Sequence, residues 1–103
     1  MSASADLPVR YLPIAEQDLL HIANFIASDS PSRAITFIDS LDARIGSLGA
    51  HPHIGRVPRH AHLKTMGYRI LVVDAYLVFY MVRPMSIEIH RIVRASRDLN
   101  HLF

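Results

Sequence analysis

Histidine is the side chain whose ordinary pKa suits proton transfer near neutral pH, and seven histidines stand in this chain of 103 residues. Four of them, His51, His53, His60 and His62, fall close together. On an extended segment, His60-Ala61-His62 puts both rings on one face, because side chains alternate along such a backbone. Two imidazoles so placed can act as acid and base; read otherwise, they are ordinary exposed loop residues. The same four raise the question of a metal. Zinc sites show tighter ligand sets that include cysteine or carboxylate, and neither an acid nor a cysteine lies between His51 and Val73, so neither a native metal site nor a cofactor is expected. With no cysteine in the chain, no disulfide and no thiolate nucleophile exist.

The charge is unevenly spread. Up to Gly55, three bases (Arg10, Arg33, Arg44) face six acids, a balance of −3. From Arg56 onward, eight bases face Asp74, Glu88 and Asp98, a balance of +5. A basic half suits a polyanion or an acidic protein segment, or is simply a solvated face.

The elements that must position these groups follow from periodicity. Leu7 to Leu12, bounded by Pro8 and Pro13, reads as a short strand. Ala15, Leu19, Ile22, Ala23 and Ile26 recur at helical spacing from Pro13 to about Ser28, with Glu16 and Asp18 complementing the helix dipole. Ser30-Pro31 restarts a helix as cap and first residue. Ala34, Ile38, Leu41, Ile45 and Leu48 carry its apolar stripe, with Gly49 as its expected cap and Pro52 as its stop. Two helices so joined form an αα-hairpin. His51 to Gly67 reads as a loop, long enough to be functional. Tyr68–Val73, Tyr76–Val82 and Ile87–Val93 then read as a three-stranded antiparallel meander.

The order β-α-α-β-β-β predicts an α+β fold: an N-terminal αα-hairpin packed on one face of a mostly antiparallel four-stranded sheet, the other face partly open. The expected division is a disordered tail over residues 1–6 and a single domain over 7–103. No apolar run reaches signal-peptide or membrane-spanning length, so a cytoplasmic protein with no membrane partner is expected.

Several segments together resemble the RelE/ParE superfamily of bacterial toxins. They are Ala15-Glu16-Gln17-Asp18-Leu19-Leu20-His21-Ile22, Ser30-Pro31-Ser32-Arg33-Ala34, His51-Pro52-His53-Ile54-Gly55-Arg56, Tyr68-Arg69-Ile70-Leu71-Val72, Tyr76-Leu77-Val78-Phe79-Tyr80, and Ile89-His90-Arg91-Ile92-Val93 with Arg97-Asp98. The resemblance spans about Val9 to Leu102. It implies the toxin of a type II toxin–antitoxin pair, of the kind tied to plasmid stabilisation and growth inhibition, in which a cognate antitoxin and the toxin form a hetero-oligomer.

Within that superfamily the chemistry divides. ParE-like members bind DNA gyrase, and the longer helices of the hairpin resemble that branch. RelE-like members cleave mRNA on the ribosome without a metal, using sheet and loop cations and a C-terminal tyrosine. Carried onto this chain by spacing from Tyr68-Arg69, that set implies Arg69 and Arg97 as cations, His62 and His60 in place of lysines, and Phe103 where the tyrosine stands. Phenylalanine has no hydroxyl, so one proton-transfer group is missing, and His101 could stand near the site. Metal-free cleavage needs a base, an acid and a cation, so the RNase remains the alternative reading, beside a degenerate member that keeps only antitoxin binding. Arg69 has a structural reading too, as a buried or edge arginine needing a partner, with Asp74 or Asp98 as candidates. For the antitoxin, an exposed sheet edge and the groove beside the αα-hairpin are the expected receptors, with Arg91, Arg94 and Arg97 as the expected partner-binding cations near the C-terminal rim.

Overall fold

A computed structural model describes residues 6–96. The expected tail up to Ala5, and Arg97, Asp98, His101 and Phe103, lie outside the described residues.

The elements run β1 (Val9–Tyr11), α1 (Pro13–Ala27), α2 (Pro31–Gly46), α3 (Ala61–Met66), β2 (Arg69–Val73), β3 (Tyr76–Val82) and β4 (Ile87–Arg94). Proline opens both long helices, where its missing N–H costs nothing. Ser30 caps α2, its hydroxyl accepting the Arg33 N–H at 3.3 Å. Helix α2 gives way at Ser47 to a 3₁₀ turn over Ser47–Gly49, so Gly49 is not its cap. Gly49 instead lies under the N-terminal segment: its carbonyl accepts the Leu7 N–H at 3.0 Å, and a Cβ there would stand 2.5 Å from the Leu7 carbonyl oxygen.

The sheet order is β1-β4-β3-β2, with β1 parallel to β4 and the other pairs antiparallel. This is the expected α+β arrangement. Strand β3 is flanked by β4 and β2 over Tyr76–Tyr80 and packed on both faces, which fits its apolar run: Tyr76 to Met81 are all buried. The helical hairpin covers one face. Ala15, Ile22, Leu41, Ile45 and Leu48 pack there against Leu71, Val73, Tyr76, Val78, Tyr80, Ile87, Ile89 and Ile92.

The opposite face is partly covered, with Val72 on it 44% exposed. A second cluster joins Tyr68, Ile70, Leu77, Phe79, Met81 and Val93 to Leu63 of α3. The segment read as plain loop therefore contains a helix whose one buried side chain, Leu63, covers that face. Gly67, at φ 91°, ends it in the left-handed conformation that glycine adopts without a steric penalty.

Candidate partner-binding surface

Arg69 stands on the helix-covered face, in register with Tyr80. Its guanidinium Nη1 donates to the carbonyl oxygens of Gly55 (2.7 Å) and His53 (3.3 Å). Tyr80 completes the arrangement, its hydroxyl accepting the Gly55 N–H at 2.9 Å and donating to the Pro52 carbonyl at 2.8 Å. Burial pushes the Tyr80 hydroxyl pKa up, against the opposing pull of the Gly55 N–H and Arg69. Gly55 is required because a Cβ would sit 2.5 Å from the Tyr80 hydroxyl and 2.9 Å from the Ile70 carbonyl. Asp74 is not the partner of Arg69, and Asp98 lies outside the described residues; the backbone carbonyls of His53 and Gly55 are its acceptors. The motif residues Pro52, Gly55, Arg69 and Tyr80 thus form one lock that fastens the loop to the sheet, and Arg56 continues it with a two-bond bridge to Ile70 (both 2.9 Å).

His60 and His62 do not lie on an extended segment. His60 precedes α3, and His62 sits in its first turn, with ring centroids 6.4 Å apart. Their helix is anchored by Leu63 on the sheet face opposite the one that carries Arg69. The structure therefore does not gather the RNase set: Arg69 is on one face, the histidines belong to an element packed on the other, and Arg97 and Phe103 lie outside the described residues. Among the described residues, no group of three or more His, Asp or Glu is placed to hold a metal ion.

Arg91 has been claimed from within the fold. Its guanidinium makes two bonds to Asp18 of α1 (2.8 and 3.1 Å), and the same carboxylate accepts the Ile92 N–H at 2.9 Å. This bonding to Asp18 raises the Arg91 pKa, against a smaller opposing effect of burial. Strand β1 pairs with β4 only over Ile87–Ile89, so Asp18 takes over the edge of β4 where β1 stops. A register irregularity beside Phe79 and Tyr80, whose partners are Arg91 and Ile89, leaves His90 unmatched. Simple alternation along β4 therefore fails: Ile92 faces the helices and Val93 the second core.

His90 heads a chain of bonds near α3. Its Nδ1 stands 2.9 Å from the Tyr68 hydroxyl and its Nε2 3.2 Å from Glu88, which also accepts from Arg83 at 3.0 Å. A carboxylate only accepts, so the bond to Glu88 is donated by the ring's Nε2. The bonds from Arg83 and then His90 hold the Glu88 carboxyl below its usual range.

A groove of about 570 Å³ lies between the hairpin and the end of the sheet that carries Tyr76 and Arg94. Phe25, Phe37 and Tyr76 give it aromatic walls, and Arg33, Asp74 and Arg94 give it charge. Phe37 and Tyr76 pack at 5.4 Å between ring centroids, and Arg94 lies 5.8 Å over the Tyr76 ring. A smaller hollow of about 190 Å³ shares Phe25, Tyr76 and Arg94 and reaches Asp18 and His21. Phe25 is 66% exposed at the mouth shared by both hollows. Sequence reading missed it; its position directly beside Ile26, off the core stripe of α1, was the available signal. Sheet edges offer less. At Ile70 the β2 edge is filled by Arg56, and at Val72 the carbonyl accepts from Arg44 at 3.4 Å.

The geometry can be set beside known proteins. A family model described as the ParE toxin of type II toxin–antitoxin system, parDE, matches residues 9–99. Among solved structures, a chain described as belonging to the chromosomal ParDE TA system from P. aeruginosa superposes with a TM-score of 0.72 at 21% sequence identity, covering 88% of this chain and 98% of that one. That likeness is one of fold. A comparison with curated proteins gave no match. No helix among the described residues is long and apolar enough to cross a membrane.

Proposed function

Because the chain belongs to the ParE toxin family of type II toxin–antitoxin systems, we propose that it arrests bacterial growth by binding DNA gyrase, and that a cognate antitoxin neutralises it by filling the groove beside the helical hairpin. The observation that favours binding over RNA cleavage is the lock on Arg69. A cation holding two loop carbonyls across the sheet from the α3 histidines is committed to the fold. Gyrase as the target follows from the family rather than from any residue's chemistry. The site of action is then the cytoplasm, and stabilising a plasmid that carries the pair is the corresponding role.

For the antitoxin, the groove is a better receptor than a sheet edge. The outward backbone groups of Ile70 are bonded to Arg56, and the Ile92 N–H is taken by Asp18, so strand addition at those positions would have to break existing bonds. An amphipathic helix can instead set apolar side chains against Phe25, Phe37 and Tyr76 and a carboxylate beside Arg94. Arg94 is thus the partner-binding cation, with Arg91 held in reserve by Asp18.

Inducing the chain alone in a bacterial host tests the target. Filamentation with a DNA-damage response and intact transcripts is expected, together with inhibition of gyrase supercoiling by the purified chain. Cleavage of transcripts within translated regions would overturn the gyrase reading in favour of the RNase. Unaffected growth would leave only antitoxin binding. For the groove, Phe25→Glu should weaken the complex with the product of the adjacent reading frame by tenfold or more while leaving the urea midpoint unchanged; undiminished affinity would move the antitoxin elsewhere.

A further inference from the structure

Ten lysines and arginines lie among the described residues, and most have an internal partner. Arg33 bonds Asp29, Arg44 the Val72 carbonyl, Arg69 the Gly55 carbonyl, Arg83 Glu88, Arg91 Asp18, and Arg94 the Tyr76 ring. That leaves the side chains of Arg10, Arg56, Arg59 and Lys64 without a partner among the described residues, and three of these four stand within nine consecutive positions. All three are exposed, with His60 and His62 exposed between them. No Asp or Glu occurs anywhere from His51 to Val73 to offset them.

The scaffold under these cations is fixed. Arg56 is tied through its own N–H and carbonyl to Ile70, and α3 is anchored by Leu63, 2% exposed. We propose that the segment Arg56–Lys64 is a binding site for the phosphate backbone of duplex DNA, with Arg56, Arg59 and Lys64 as the contacting cations.

Two other polyanions fit less well. Single-stranded RNA is held largely by stacking bases on aromatic side chains, and the segment contains no Phe, Tyr or Trp, its rings being the two imidazoles of His60 and His62. An acidic peptide adding as a strand needs open backbone groups on the adjoining edge, and those of Ile70 are used by Arg56. Cations on a fixed backbone, with no ring larger than imidazole among them, suit a duplex backbone, where phosphate contacts carry position rather than sequence. None of the three cations lines the groove beside the hairpin, so the site stands or falls independently of the antitoxin reading.

The test is fluorescence anisotropy of the full chain with a labelled 20-base-pair duplex across a salt series. About three phosphate contacts give a log–log salt slope of about −2.7, or roughly a 40-fold loss of affinity from 50 to 200 mM salt. Replacing all three cations (Arg56→Gln, Arg59→Gln, Lys64→Gln) should lower affinity by tenfold or more, whereas Arg10→Gln, the remaining unpartnered cation, should leave it unchanged. Unmodified chain with a slope shallower than −1 overturns the proposal without relying on any variant. So does a triple variant that binds like the parent, tighter binding to single-stranded RNA of equal length, or displacement of the duplex by polyglutamate at equal charge concentration.

Discussion

Replacing Arg69 by alanine separates a residue that builds the fold from one that performs chemistry. The change removes a charged donor from two carbonyls, one well placed at 2.7 Å and one marginal at 3.3 Å. Hydrogen bonds to charged groups contribute about 1.5–3 kcal/mol. The second is too long to count fully, and the half-buried Gly55 carbonyl regains some water. A net loss of about 2 kcal/mol follows, which in a domain of this size lowers Tm by roughly 8–16 °C. Arg69→Lys keeps one cationic donor near the Gly55 carbonyl and should recover about half of that. Urea and thermal unfolding of the purified chain measure the stability, and growth arrest on induction at two temperatures measures the function. If the lock is the role, arrest by the alanine variant fails at 37 °C, returns at 20 °C, and tracks Tm across both substitutions. A variant with parental Tm and no arrest at either temperature would refute the structural account and make Arg69 a functional group.

Asp18→Ala removes the carboxylate from an ion pair whose side chains are only 15% and 12% exposed and also strands the Ile92 N–H; a loss of about 3 kcal/mol is expected by denaturant titration, with Asp18→Asn costing about half because it still accepts from Ile92. Asp74, at φ 52°, is the described non-glycine residue held in the left-handed region, so Asp74→Gly should be neutral within about 0.5 kcal/mol and Asp74→Val should cost about 1–2 kcal/mol in the same assay. Tyr11, Tyr68 and Tyr80 all have hydroxyl pKa values raised, each by burial first, with the Asp42 carboxylate adding to the effect at Tyr11. Because the protonated form is the one the fold favours, their contribution is complete below pH of about 10, the unfolded value, and is lost as pH rises toward the folded values. Absorbance at 295 nm should show these phenols ionising together with unfolding, and ionisation in the folded protein at the ordinary pH would count against it.

What could be read from the sequence was what periodicity encodes. The apolar stripes of Ala15 to Ile26 and Ala34 to Leu48 marked both long helices, and the dense strands with their short turns placed β2, β3 and β4 nearly to the residue. Helix α3 escaped because six residues with one buried side chain carry no period to detect. The irregularity at His90 escaped because alternation assumes an unbroken ladder, and the bonds from Arg91 to Asp18 escaped because the two lie far apart along the chain. Arg69 illustrates a further limit: a motif shows which residues matter together, but its acceptors were main-chain oxygens, which have no letter in a sequence.

The parallel pairing of β1 with β4 sets the order in which this molecule can assemble. Val9 hydrogen-bonds along the strand that holds Ile87, so the first strand made waits for the last. During synthesis the helical hairpin, rich in local contacts, forms early, but the sheet it must cover does not yet exist. Its apolar stripe and the exposed ring of Phe25 are then presented together. A partner already in the cell could meet the toxin at that stage, before β4 has closed the sheet and before the growth-arresting form exists.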